Sequence, residues 1–468
     1  MPKIESFGKK YCNLLLFALG SLLFIPVLFA MLPLMANSAL QIPLWVCIIC
    51  FILSIIFYML FIFVELKKDG NKKLYSIGIL LIAIIVYSII IILLQPDEVI
   101  ITATAYYSAD DKVGHLVDII TTISATDKTL FIMYSINIFI VIYSLIFLVP
   151  NIIKNKQFVK WFCILSILFT VLSIILSIAL EWEHYIEVFK SLFAKQDNNE
   201  VHYPESFFGH KNMFGFVLMF GASQCLILYT INKKKLIIVP YVLFGFEIFV
   251  CGCRTGLLIY IIMSVVTLYR YLIIGTINKK KKSIITLIIL SVLLCSLIIV
   301  FIALYFSLPY FKAKVDSMLD YGTTFLARIN IWKNAIYSLQ PSWYLTGRGN
   351  GTFNKILINV NYELRRDMTY STHGWIMAML GRGGIPYLLY FIAFITYIAN
   401  TIKNYFKKSS NINLTFIIVL FAFFIFSFFE DFYYILVLLF SEYLIIINSI
   451  DGKEKQETNN LQSLDSFK

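Results

Sequence analysis

Nine side chains stand at or near the ends of long apolar stretches and carry chemistry that a plain bilayer anchor does not need. They are His210, Lys211, Asn212, Arg254, Arg328, Trp332, Arg348, His373 and Arg382. Guanidinium forks and ammonium groups are the donors suited to phosphate oxygens. Histidine, whose ordinary pKa is near neutrality, is suited to take a proton from a hydroxyl. Cations gathered with one base point to the handling of a phosphate-linked lipid. Each residue also has a plainer reading. Lys211 and Arg254 fit interfacial anchors whose charged heads snorkel to water. Arg328 and the pair Arg365-Arg366 fit solvated loop faces, the glycines around Arg348 fit a turn, and His373 fits a polar helix start. Arg382 is harder to treat as an anchor. It lies among glycines in the first turns of an apolar stretch, where a charge usually faces a protein cavity.

The elements that position these residues follow from composition. The chain has 468 residues, is 60% hydrophobic and 14% charged, and has a mean hydropathy of +0.82. Soluble domains carry about 25% charged residues, so a soluble globule is excluded. Apolar runs of membrane-spanning length predict about twelve transmembrane helices. They are placed near 11–36, 41–65, 74–94, 130–150, 161–181, 212–231, 236–251, 255–275, 284–308, 375–400, 414–429 and 432–449. The expected fold is all-α, a single polytopic membrane domain over 1–468. A large loop, 308–375, separates the ninth and tenth spans. Two loop helices are expected, at 181–195 and 323–339, and the polar tail 451–468 is expected to be disordered.

Lysine clusters orient these spans. They follow the second, fourth, sixth, eighth and tenth, for example Lys67-Lys68, Lys233 to Lys235 and Lys279 to Lys282, and the N-terminal tail is also basic. The positive-inside rule therefore puts both termini in the cytoplasm and the long loops, 308–375 included, outside. The net charge of +12 is thus a topology signal and not a nucleic-acid patch. Eight cysteines lie mostly in or beside apolar runs, with no metal or disulfide spacing. No phosphate-cradling loop of the Gly-Lys-Ser/Thr kind follows Gly347 to Gly351, and Asp110-Asp111 is not a metal-binding motif. No metal and no cofactor are expected.

The ordered set of motifs resembles a family. His-Lys-Asn-x-x-Gly at 210–215, Arg-x-Gly at 254–256, Arg-x-x-x-Trp at 328–332, Gly-x-Gly-x-Gly at 347–351 and His373 before a span resemble the O-antigen ligase and Wzy-type polysaccharide polymerase superfamily. The motif region covers about 205–390, and Gly374 stands where the family often has Asn. The resemblance implies a GT-C-like, metal-independent, inverting glycosyltransferase of the bacterial inner membrane. Its donor would be an oligosaccharide on undecaprenyl pyrophosphate, and its other partners membrane lipids, a chain-length regulator and a flippase. Arg254 and Arg328 would hold the pyrophosphate and His373 would deprotonate the acceptor hydroxyl. Lys211, His210, Asn212, Arg348, Arg382 and Trp332 would line the substrate site. The large loop would act as a lid that brings Arg328 and His373 to Arg254. Polymerisation into O-antigen, capsule or exopolysaccharide is favoured over ligation to lipid A core. A flippase is the alternative of another class.

Overall fold

The computed structural model describes residues 12–27, 42–69, 72–105, 115–193, 202–208, 210–277, 321–340, 343–365, 372, 374–405, 410–429 and 434–465, with isolated positions between 285 and 307. Helices predominate. In a bilayer every backbone N–H and C=O must be satisfied within its own segment, so long apolar runs become helices. The described helices are α1 (Cys12–Val27), α2 (Leu44–Asp69), α3 (Lys72–Leu93), α4 (Ala125–Tyr143), α5 (Lys156–Leu180), α6 (Trp182–Phe193), α7 (Lys211–Asn232), α8 (Ile238–Val250) and α9 (Arg254–Ile277). They continue with α10 (Tyr321–Tyr337), α11 (Thr352–Arg365), α12 (Trp375–Tyr405), α13 (Ser410–Phe429) and α14 (Tyr434–Asp465).

Among the described residues, six helices are long and apolar enough to cross a membrane: α2, α3, α4 with its extension to Ile152, α5, α7 and α12. Shorter apolar helices lie at Cys12–Val27, Arg254–Leu268, Ile412–Phe428 and Tyr434–Ile450. The protein is therefore membrane-embedded and mainly α-helical. Eleven of the twelve expected spans coincide with a helix, and most of the ninth, 284–308, lies outside the described residues. The two loop helices form as α6 and α10. α14 runs on to Asp465, into the tail 451–468. Its Lys, Glu and Gln residues are polar but are good helix formers, so they prolong the apolar helix before them.

A β-hairpin departs from the all-α expectation. β1 (Glu98–Ala105) and β2 (His115–Thr122) pair antiparallel, with Glu98 opposite Thr122 and Ala105 opposite His115. Alternation decides this. Val99, Ile101 and Ala103 point to one face, with Ile119 from β2, and bury against Ile356 and Val360 of α11. β-branched residues at every second position suit a half-buried strand.

The chain, read from sequence as one membrane domain, divides by its packing into two units. The first comprises 1–156, 328–401 and 427–468; the second comprises 157–327 and 402–426. In the first, α4 starts with a capping box, where Ser124 Oγ accepts from the Asp127 N–H at 3.1 Å and the Asp127 carboxylate accepts from the Ser124 N–H at 2.8 Å. Such a box satisfies helix-end donors in both directions.

The main irregularity of the first unit is a break in α12. Gly384 has φ 61° and ψ −150°, outside helical space. Pro386 has no N–H for the Arg382 carbonyl, and the break takes the Ile385 N–H away from Gly381. A glycine-rich loop restores each bond. Gly349 N–H donates to Arg382 O at 2.8 Å, Arg348 N–H to Gly381 O at 2.8 Å, and Ile385 N–H to Leu345 O at 2.9 Å. Gly347, Gly349 and Gly351 all have positive φ, which lets the loop follow the break. The run Gly347 to Gly351 is thus more than a turn.

Candidate functional site

In the second unit, α7 and α9 both begin with a cation. Lys211 is the first residue of α7 and Arg254 the first of α9. A close turn brings these helix starts together. Gly252, at φ 68°, turns the chain between α8 and α9, and Gly215 of α7 leaves room for Cys253. A Cβ at 215 would lie 2.5 Å from the Cys253 sulfur, so only glycine permits this approach.

Each cation lies within the field of the other. Among the described residues neither forms a salt bridge. Helix N-termini carry partial positive charge and favour anions, so a cation there costs about 0.3–1 kcal/mol. Two cations at two adjoining N-termini are therefore unfavourable unless an anion joins them. Backbone N–H groups at such ends add further donors for phosphate oxygens.

An aromatic ring steadies the pair. Lys211 Nζ lies 4.5 Å from the centre of the Tyr203 ring. Tyr203 is in turn fixed by Gly252, where a Cβ would come within 2.5 Å of its Cδ1. Replacing Tyr203 with Leu should weaken the binding of inorganic pyrophosphate about threefold to fivefold, the worth of a partly exposed cation–π contact. Tyr203→Phe keeps the ring and should bind as the parent does. Titration calorimetry of the three proteins tests this, and equal loss in Phe and Leu would assign the effect to the hydroxyl.

The remaining candidates separate by role. His210, expected near the substrate, is the N-cap of α7: its Nδ1 accepts from the Asn212 N–H at 3.1 Å. That bond uses one ring nitrogen to cap the helix and fixes Asn212 by its backbone.

In the first unit, Arg328 is 9% exposed on α10. Trp332, one turn later, sets its indole Nε1 against Gly374, 3.4 Å from where a Cβ would stand there. A side chain at 374 would also approach Phe428 O at 3.2 Å, which gives a packing reason for glycine at this position. Thr372 is buried, and its Oγ1 donates to Gly374 O at 3.0 Å. His373 lies outside the described residues.

Arg348 is engaged inside the protein. It is 1% exposed; Nε donates to Ser338 O at 2.8 Å, Nη1 to Gln95 Oε1 at 3.1 Å, and Nη2 to Gln340 O. Its Cζ lies 5.4 Å from the Trp343 ring centre. Burial pushes its pKa down to about 10, so it stays charged at neutral pH. The guanidinium, expected in the substrate site, locks the loop that repairs the α12 break. Loop carbonyls are invisible in a residue string, so this clamp could not be read there.

Arg382 is turned to polar groups of the first unit. It is 8% exposed, with Nε toward Asn354 Oδ1 at 3.3 Å and Nη1 toward the Tyr434 hydroxyl at 3.4 Å. A small cavity of about 40 Å³ nearby is lined by Phe139, Asn350, Tyr387, Tyr390 and Tyr434.

Sequence reading missed a carboxylate network in the second unit. Glu181 Oε2 accepts from the Ser206 N–H at 2.7 Å and the Glu205 N–H at 3.1 Å, and so anchors the segment that carries Tyr203. Glu247, on α8, is 2% exposed and accepts from the Tyr185 hydroxyl. A signal existed: Glu247 is an acid inside an apolar run, which by itself marks a residue for attention. No protein-family model, curated protein or solved structure matches the chain.

Proposed function

We propose that this protein is a GT-C-like membrane glycosyltransferase of about twelve spans that polymerises oligosaccharide repeat units carried on undecaprenyl pyrophosphate, at the outer face of a bacterial inner membrane. The observation that carries the reading is the Lys211–Arg254 pair, two cations at adjoining helix starts without a salt-bridge partner among the described residues. Glu205 acts on Lys211 from a distance without forming a salt bridge, and a pyrophosphate would engage both cations directly. The acceptor hydroxyl attacks the anomeric carbon as the bond from that carbon to the phosphate oxygen breaks. The bonding pair leaves with the pyrophosphate, and Arg254 and Lys211 stabilise the charge that grows there. The motif resemblance assigns the hydroxyl proton to His373 and a supporting part in transfer to Arg328.

The break in α12 favours a second reading, transport of the lipid-linked glycan, because discontinuous helices often form transporter sites. Against it, the groups freed by this break are taken up by the Leu345–Gly349 loop and not left open to a substrate.

Purified protein incubated with undecaprenyl-pyrophosphate repeat units alone tests the proposal. A ladder of longer glycans that persists in EDTA is the expected result, lost in His373→Ala and Arg328→Ala proteins that still insert. Product only after addition of lipid A core would make the protein a ligase. Movement of the lipid across vesicles without a new glycosidic bond would make it a flippase.

A further inference from the structure

Four side chains in the second unit form an unbranched chain of hydrogen bonds. Glu247 Oε1 meets the Tyr185 hydroxyl, Tyr185 meets Ser177 Oγ at 3.0 Å, and Ser177 meets Glu181 Oε2 at 2.8 Å. α8, α6, the end of α5 and the residue after it supply them in turn. Glu247 and Tyr185 are 2% and 5% exposed and Ser177 is fully buried, whereas Glu181 is half-buried.

Counting hydrogens shows what this chain holds. Three oxygen–oxygen contacts need three hydrogens, and the hydroxyls of Tyr185 and Ser177 supply two. An ionised carboxylate can only accept. With both glutamates ionised, one contact would set oxygen against oxygen in a dry interior, which is costly. One additional proton, on either glutamate, fills every contact.

The surroundings decide where that proton rests. Glu181 Oε2 already accepts two backbone N–H groups, at 2.7 and 3.1 Å. Glu247 faces Tyr185 and the Cys251 thiol, and its own helix and the helices beside it bring no cation within pairing distance. Lys211 acts on Cys251, and Tyr260 of α9 commits its hydroxyl to the Tyr241 carbonyl. An apolar cavity of about 210 Å³, lined by Ile174, Trp182, Phe189 and Phe246 among others, adjoins Tyr185 and Glu247.

We propose that Glu247 is a proton-binding site, filled from Glu181 through the hydroxyls of Ser177 and Tyr185. A proton arriving at Glu181 passes to Ser177 Oγ while the Ser177 hydrogen moves to Tyr185 and the Tyr185 hydrogen to Glu247. Each hydroxyl oxygen gains one hydrogen as it gives one up, Glu247 keeps the last, and the chain reverses direction without breaking. The site stands independently of glycan transfer, since its groups need no lipid substrate to exchange a proton.

Infrared spectroscopy of the whole protein in lipid nanodiscs, without any lipid-linked glycan, tests this. The wild type should show a protonated-carboxyl C=O band at neutral pH that is missing from Glu247→Gln. Tyr185→Phe should keep that band but exchange its proton for deuterium at least about tenfold more slowly, because the middle of the relay is gone. Ser177→Ala should slow exchange in the same way, and it stands as the relay test if Tyr185→Phe does not insert. Identical carbonyl regions in wild type and Glu247→Gln would overturn the site. Exchange as fast as wild type in Tyr185→Phe or Ser177→Ala would overturn the relay.

Discussion

Replacing Arg254 with alanine should lower glycan transfer by about two to three orders of magnitude, the usual cost of removing one donor that stabilises developing charge. It should do so without destabilising the protein. Arg254 is exposed, begins a helix, and lies beside Lys211, so its charge opposes both the helix dipole and its neighbour. Loss of the guanidinium relieves both repulsions. Thermal unfolding of Arg254→Ala should therefore match or exceed that of the parent, while transfer collapses. A residue held for structure would show the opposite pattern. Arg254→Lys keeps the charge but not the fork, and should fall between the two. Measuring transfer and unfolding on the same preparations checks the prediction; an active or a destabilised alanine variant would remove Arg254 from the anion site.

The largest structural effect is expected at Gly384. Its φ and ψ lie in a region open almost only to glycine, and a Cβ there would stand 2.0 Å from the Leu345 carbonyl oxygen. The obstacle is backbone and cannot swing aside. Moving it would also break the Ile385–Leu345 hydrogen bond and disturb the neighbouring bonds from Arg348 and Gly349. Strain, clash and lost bonds together should cost more than about 4 kcal/mol, a large share of an ordinary protein's stability. Gly384→Ala should accordingly fail to accumulate in membranes. Gly78→Ala is the control, because a Cβ there meets only the Tyr143 hydroxyl at 3.7 Å. Quantitative immunoblotting of membrane fractions distinguishes them, and normal accumulation of Gly384→Ala would contradict the broken-helix geometry.

Sequence and tertiary structure contribute different kinds of information here. Membrane embedding and the positions of most helices are legible from run length alone, because lipid forces each backbone segment to satisfy its own hydrogen bonds. The cations at helix starts are legible too, since Lys211 and Arg254 interrupt the boundaries of apolar runs. Amphipathic spacing was enough to place α6 and α10. Pairing is another matter. Tyr185 and Glu247 are 62 residues apart, and a contact at that separation leaves no local pattern. Arg348 looks like a ligand-binding fork until the carbonyls of Ser338 and Gln340 are in place around it. His210 looks like chemistry until its Nδ1 is seen to cap α7. The glycines at 347–351 and 381–384 each signal an irregular backbone, but neither group names the other as its partner. Residue types and spacing thus determined what chemistry the chain carries and that it lies in a membrane. Only the fold decided which donors are spent on the protein's own oxygens, because hydrogen bonds are made across space and not along the chain.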